Sequence, residues 1–91
     1  MVLDEKELNL NNAATVSQRG CAAIAAGTEE IDLSSLNSVD SAAVAVLLAW
    51  QRQAQKQSRS LRLLAAPASL VSLISLYGMQ DFFELRGTRE A

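Results

Sequence analysis

The sequence predicts an α/β domain: a small, mixed but mainly parallel sheet of four to five strands, with about three helices packed mostly on one of its faces. Three observations predict it. Apolar residues recur at helical spacing in three stretches and alternate with polar ones in the short stretches between them. The two patterns take turns along the chain, as strand-helix-strand units do. Glycine, proline or serine marks nearly every change of pattern. With 91 residues there is room for a single core, so residues 1–91 are expected to form one domain.

The elements follow in order. Val2-Leu3 and Glu7 to Leu10 suit one strand or a small hairpin. Asn11 and Asn12 can cap a first helix that runs through an alanine-rich stretch to Gly27, with Val16, Gly20, Ala23 and Ile24 at helical spacing. Glu29 to Ser34 alternates as a half-buried strand, placing Ile31 and Leu33 on one face. A loop is expected from Ser35 to Asp40. Ser41 then heads a second helix to about Gln57, with Ala43, Val44, Leu47 and Ala54 on its inner side. Ser58 to Ser60 break it, and Leu61 to Ala65 form another strand. Pro67 opens a third helix, where its missing N–H costs nothing. Leu70, Leu73, Ile74 and Tyr77 form the buried stripe of that helix, and Gly78 closes it. Phe82 to Leu85 make a short last strand, and residues 86–91 a frayed tail.

Composition removes whole classes of function. The chain has no histidine, which excludes Ser-His-Asp and Cys-His catalysis and every histidine-containing metal site. No cofactor or metal is expected. Eight basic residues against ten acidic ones, a net of −2, argue against nucleic acid as a partner and against a polybasic membrane anchor. The longest apolar run, Ala42 to Trp50, is far too short for a bilayer span, and no basic region precedes an apolar one at the N-terminus, so direct membrane insertion is not expected. Cys21, the single cysteine, reads as a small buried hydrophobe. Arg52, Lys56, Arg59 and Arg62 form a basic cluster free of acids; it complements the end of the second helix or rims a partner surface.

One constellation can carry chemistry. Asp32-Leu33-Ser34 ends a strand, and Ser38-Val39-Asp40-Ser41-Ala42-Ala43-Val44 enters a helix, so a hydroxyl and carboxylates stand near the positive end of a helix dipole. Three readings remain open on physical grounds. Asp40 or Ser41 is a plain N-cap; Ser41 is a phosphorylation site whose phosphate would sit on free helix N–H groups; or the loop docks another protein. Glycine-loop phosphate binding is not among them, because the glycines are scattered.

Ile31-Asp32-Leu33-Ser34 followed by Val39-Asp40-Ser41-Ala42-Ala43-Val44-Ala45-Val46-Leu47-Leu48 resembles the signature of STAS domains, found in anti-sigma-factor antagonists and in the C-terminal parts of sulfate transporters. The resemblance covers nearly the whole chain. Its branch is similar to the small STAS subunits of Mla-type phospholipid-transport ABC systems, a likeness carried also by Leu47 to Ala54. Two departures stand out: Ala42-Ala43 replaces the usual glycine after the hydroxyl residue, and the N-terminal strands are shorter than the family's.

The resemblance implies a STAS-type fold and a non-catalytic interaction subunit. It implies that the N-terminus of the second helix binds the ATPase subunit of an ABC transporter, at the cytoplasmic side and peripheral to the inner membrane through that partner. The expected contact residues are Ser38, Asp40, Ser41, Ala42, Val44, Ala45 and Trp50. Trp50 lies at the edge of the inner stripe, where core packing and a role as interface anchor compete. The alternative implied function is an anti-sigma-factor antagonist whose partner kinase phosphorylates Ser41.

Overall fold

A computed structural model describes residues 1–88 of the chain. Its elements are β1 (Glu7–Leu8), α1 (Ala13–Ala25), β2 (Glu30–Asp32), β3 (Ser38–Val39), α2 (Ala42–Lys56), β4 (Leu61–Leu64), α3 (Ala68–Leu76) and β5 (Phe83–Arg86). The strands divide into two sheets, a pair β1-β3 and a triple β2-β4-β5, and every pairing is parallel. Val2 adds a parallel bridge to Asp32 on the open side of β2, secured by Leu3 N–H to the Asp32 carbonyl and Asp32 N–H to the Met1 carbonyl.

The α/β class and the three helices therefore stand as the sequence predicted, whereas the single sheet does not. The segment expected to be one strand or a hairpin splits in two: Val2 borders β2, and Glu7–Leu8 pairs instead with Ser38–Val39. Those last two residues lie inside the expected loop. A two-residue strand is too short to show alternation, so only the pairing reveals it.

Alternation does decide the faces of the larger sheet. Ile31, Leu33, Leu61, Leu63 and Phe83 are buried toward the helices. On the other face Arg62 pairs with Glu29 and Glu30, and Arg86 with Glu84, leaving that side polar and open. Exposed ion pairs of this kind contribute little to stability, but they suit a face in water.

Helices α1 and α2 pack closely because α1 is made of small residues. The Trp50 indole lies over Gly20, where any Cβ would collide with the ring, and its Nε1–H donates to the Ser17 carbonyl at 3.2 Å. Cys21 is half-buried in the same seam, its Sγ 3.7 Å from the Ala49 carbonyl oxygen.

All three helices end alike. The N–H two residues past the cap returns to a carbonyl inside the last turn: Thr28 to Ala23, Arg59 to Ala54, and Met79 to Ile74. The turn demands a left-handed residue, supplied by Gly27, by Gly78 and, after α2, by Ser58 at φ 54°.

Several details differ from expectation. Asn12 holds the N-cap position of α1 without a side-chain cap; its amide turns back to β1, donating to the Glu7 carbonyl at 2.7 Å. Tyr77, expected in the α3 core stripe, is 53% exposed because the helix ends at Leu76 and the chain turns outward there. Leu73 is half-buried. Phe82 lies outside β5, and Arg86 belongs to the strand rather than to the tail, of which residues 89–91 lie outside the described residues.

The basic cluster is partly spent inside the fold. Arg59 Nη1–H donates to the Gly27 carbonyl at 2.8 Å and Gln57 Nε2–H to the Ala25 carbonyl at 3.1 Å, so the end of α2 satisfies carbonyls at the end of α1. Arg59 thus complements the end of α1, while Lys56 lies in the last turn of α2 itself. Near the N-terminus, Arg19 bridges Asp4 and Glu5 and holds the Asp4 carboxyl below its usual range.

Candidate docking site

The pairing of β1 with β3 sets the entrance of α2. Asp40 N–H donates to the Leu8 carbonyl at 3.0 Å, which extends the ladder by one bond and carries the chain to the start of the helix. The Asp40 carboxylate then works on two sides. Its Oδ1 accepts the Ala42 N–H at 2.8 Å and its Oδ2 the Leu10 N–H at 3.4 Å. The first bond caps α2, whose first turn holds no acidic residue of its own, and the charge complements the positive helix end.

Ser41 is left over from that arrangement. Its backbone is already helical, at φ −63° and ψ −16°, and its side chain makes no capping hydrogen bond. The hydroxyl stands exposed on the first turn. Of the two candidate caps, the structure selects Asp40. Asp32, the other carboxylate of the motif, closes its own turn, its Oδ1 accepting the Ser34 N–H at 2.8 Å.

From Ser41 the spacing i, i+3, i+4 and i+7 runs along one outward stripe through Val44, Ala45 and Leu48. Ser41 and Ala45 are exposed, and Val44 and Leu48 half-buried. The opposite face, with Ala43, Val46, Leu47, Trp50 and Ala54, is buried. Val44, assigned to the inner side from the sequence, therefore lies at the boundary.

The expected contact residues separate accordingly. Ser38, Asp40, Ser41 and Ala45 are exposed around the helix entrance, and Ala42 and Val44 are half-buried beside them. Trp50 does not belong with them. It is 0% exposed, its ring fills the seam against Gly20 and its N–H is used by Ser17, so the anchor role is corrected to core packing.

Two residues join the patch that sequence reasoning passed over. Leu10, 83% exposed, is tied to the site through its N–H on Asp40. Leu48 was legible, since it continues the Ser41 stripe by one more helical step. Leu10 was not, because only the β1-β3 pairing brings it there.

Among the described residues no group of three or more His, Cys, Asp or Glu side chains is placed to hold a metal ion. A polar groove of about 260 Å³, lined by Gln51, Gln55, Ser58, Arg59, Ser60 and Asp81 among others, lies at the far end of α2 from Ser41. No helix among the described residues is long and apolar enough to cross a membrane.

Known proteins place these features in a family. The MlaB-type STAS domain model matches residues 5–87. The chain is 38% identical over 53 residues to the intermembrane phospholipid transport system binding protein MlaB of Haemophilus influenzae; the match covers 58% of this chain and 50% of that protein, so the chain spans about half the length of this relative. A crystal structure from Thermotoga maritima, described as an anti-sigma-factor antagonist, superposes with a TM-score of 0.77 over 96% of this chain and 78% of that one, at 19% identity, a likeness of fold alone. The family match over most of the chain, with the Asp-Leu-Ser and Val-Asp-Ser motifs at the positions described, shows that this chain belongs to the MlaB-type STAS domain family.

Proposed function

We propose that this chain is a non-catalytic interaction subunit that docks the N-terminus of α2 on the cytoplasmic ATPase of an ABC phospholipid-transport complex and supports its assembly or activity. The observation that carries the proposal is the division of labour at the helix entrance. Asp40 caps the helix, so the Ser41 hydroxyl is exposed and free of any structural duty there. Around it Ala45 is exposed, Val44 and Leu48 are half-buried, and Leu10 projects beside them. A small apolar patch rimmed by polar groups is the composition of a protein interface. Family membership and the match to a phospholipid-transport protein favour a transporter partner.

The test is retention of the purified ATPase subunit by immobilised wild-type chain, Ser41→Ala and Ser41→Glu. Ser41→Ala is expected to weaken binding while leaving the melting temperature unchanged. Ser41→Glu is expected to weaken it further, because docking would take an unpaired charge out of water, at a cost of several kcal/mol. Binding by Ser41→Glu equal to or tighter than wild type would mean that the partner presents a cation to this position. That result would move the assignment to the second reading, a kinase-modified Ser41 in an anti-sigma-factor antagonist, for which the same exposed hydroxyl is the supporting observation.

A further inference from the structure

We propose that the free edge of β5 is a self-complementary contact through which two copies of this chain pair antiparallel, joining their β2-β4-β5 sheets into one of six strands. Among the described strands, β5 pairs with β4 alone and ends the sheet. The Ala65 N–H donates to the Arg86 carbonyl at 2.8 Å, so Arg86 directs its backbone groups toward β4. Backbone direction alternates along a strand, so Glu84 does the same while Phe83 and Leu85 turn their N–H and C=O to the open edge. That edge is a template for another strand.

The side chains specify which strand. In an antiparallel pair centred on Leu85, the two Leu85 residues exchange both backbone hydrogen bonds. Glu84 of each copy then falls opposite Arg86 of the other, twice, at the non-hydrogen-bonded positions where cross-strand side chains lie closest. Glu84 and Arg86 are exposed on the polar face of the sheet and form an ion pair of 2.6 Å within one chain. The half-buried Leu85 side chains meet on the helix side. Centring the pair on Glu84 or Arg86 instead sets like charges face to face, which is destabilising. The segment Glu84-Leu85-Arg86 is thus its own complement in one register and no adjacent one.

Three paired residues per strand bury far less than the roughly 1,200 Å² at which stable interfaces begin, so the dimer is a weak, concentration-dependent one. It leaves the α2 entrance free, since that site is built on the β1-β3 pair. A pair of chains would therefore present two docking surfaces at once.

Sedimentation velocity of the 91-residue chain from about 10 μM to about 1 mM tests the proposal. Wild type is expected to shift toward dimer over that range. Glu84→Arg and Arg86→Glu, each checked for folding by thermal melting, should each weaken dimerisation at least about tenfold, because each sets like charges opposite one another. The double variant Glu84→Arg/Arg86→Glu, and an equimolar mixture of the two single variants, should recover it to within about threefold. A wild-type chain that stays monomeric throughout, single variants that dimerise as well as wild type, or a folded double variant that fails to recover would each overturn the proposal.

Discussion

The two faces of α2 are built for different ends. Its inner face carries Ala43, Val46, Leu47, Trp50 and Ala54, all buried, and its ring-against-glycine contact with α1 leaves no slack. Its outer face carries Ser41, Val44, Ala45 and Leu48, which the fold leaves exposed or half-covered. The same fifteen-residue helix thus fixes the domain with one side and leaves an apolar, uncharged strip on the other. A free-standing domain needs only the first of these. On the function proposed above, a partner would complete the burial of the second.

The contrast is broken most forcefully at its inner face. Trp50→Ala should destabilise the domain by about 3–5 kcal/mol, measured by chemical denaturation, because it empties a fully packed site and removes the indole hydrogen bond to the Ser17 carbonyl. Gly20→Ala attacks the same seam from the other helix. Despite alanine's better helix propensity, it should cost about 1–3 kcal/mol, since the added methyl displaces the indole. A neutral Gly20→Ala would mean that α1 and α2 slide apart readily, and the inner face would lose its claim to rigidity.

At the helix entrance the effects are smaller and separate two neighbours. Asp40→Ala removes a cap and should cost about 1 kcal/mol. Ser41→Ala should cost under about 0.5 kcal/mol, because the hydroxyl caps nothing. Equal losses would return the cap to Ser41 and remove the basis for a docking role. At the other end, Ser58→Gly relieves a left-handed serine and should stabilise the domain by up to about 1 kcal/mol. Reversing the exposed Arg52 and Lys56 to Glu should change stability least, within about 0.5 kcal/mol.

Periodicity made most of this legible in advance. The alternation of Ile31 and Leu33, and of Leu61 and Leu63, marked the sheet and its buried face, and the Asp-Leu-Ser and Val-Asp-Ser motifs marked the helix entrance. Trp50 sits one helical step from both Leu47 and Ala54, so its spacing put it at the edge of the buried stripe and favoured the core without excluding an interface; the opposing Gly20 decides for the core. Leu10 and β3 were hidden for a different reason. A two-residue parallel pair between segments 31 residues apart leaves no local pattern. The cap, too, was a choice between adjacent side chains that propensity ranks alike, settled by the backbone of Ser41 already being helical.

The central claim, that the outer face of α2 serves a partner and not the fold, is tested most directly by Ala45→Glu. Ala45 is exposed, lies within the helix beyond the cap, and glutamate is a good helix former, so unfolding free energy should move by under about 0.5 kcal/mol. Titrating this variant against the purified ATPase subunit should give a Kd at least about tenfold above wild type, because the new charge is buried on docking. An unchanged Kd in the folded variant would contradict the account and place the contact elsewhere on the domain.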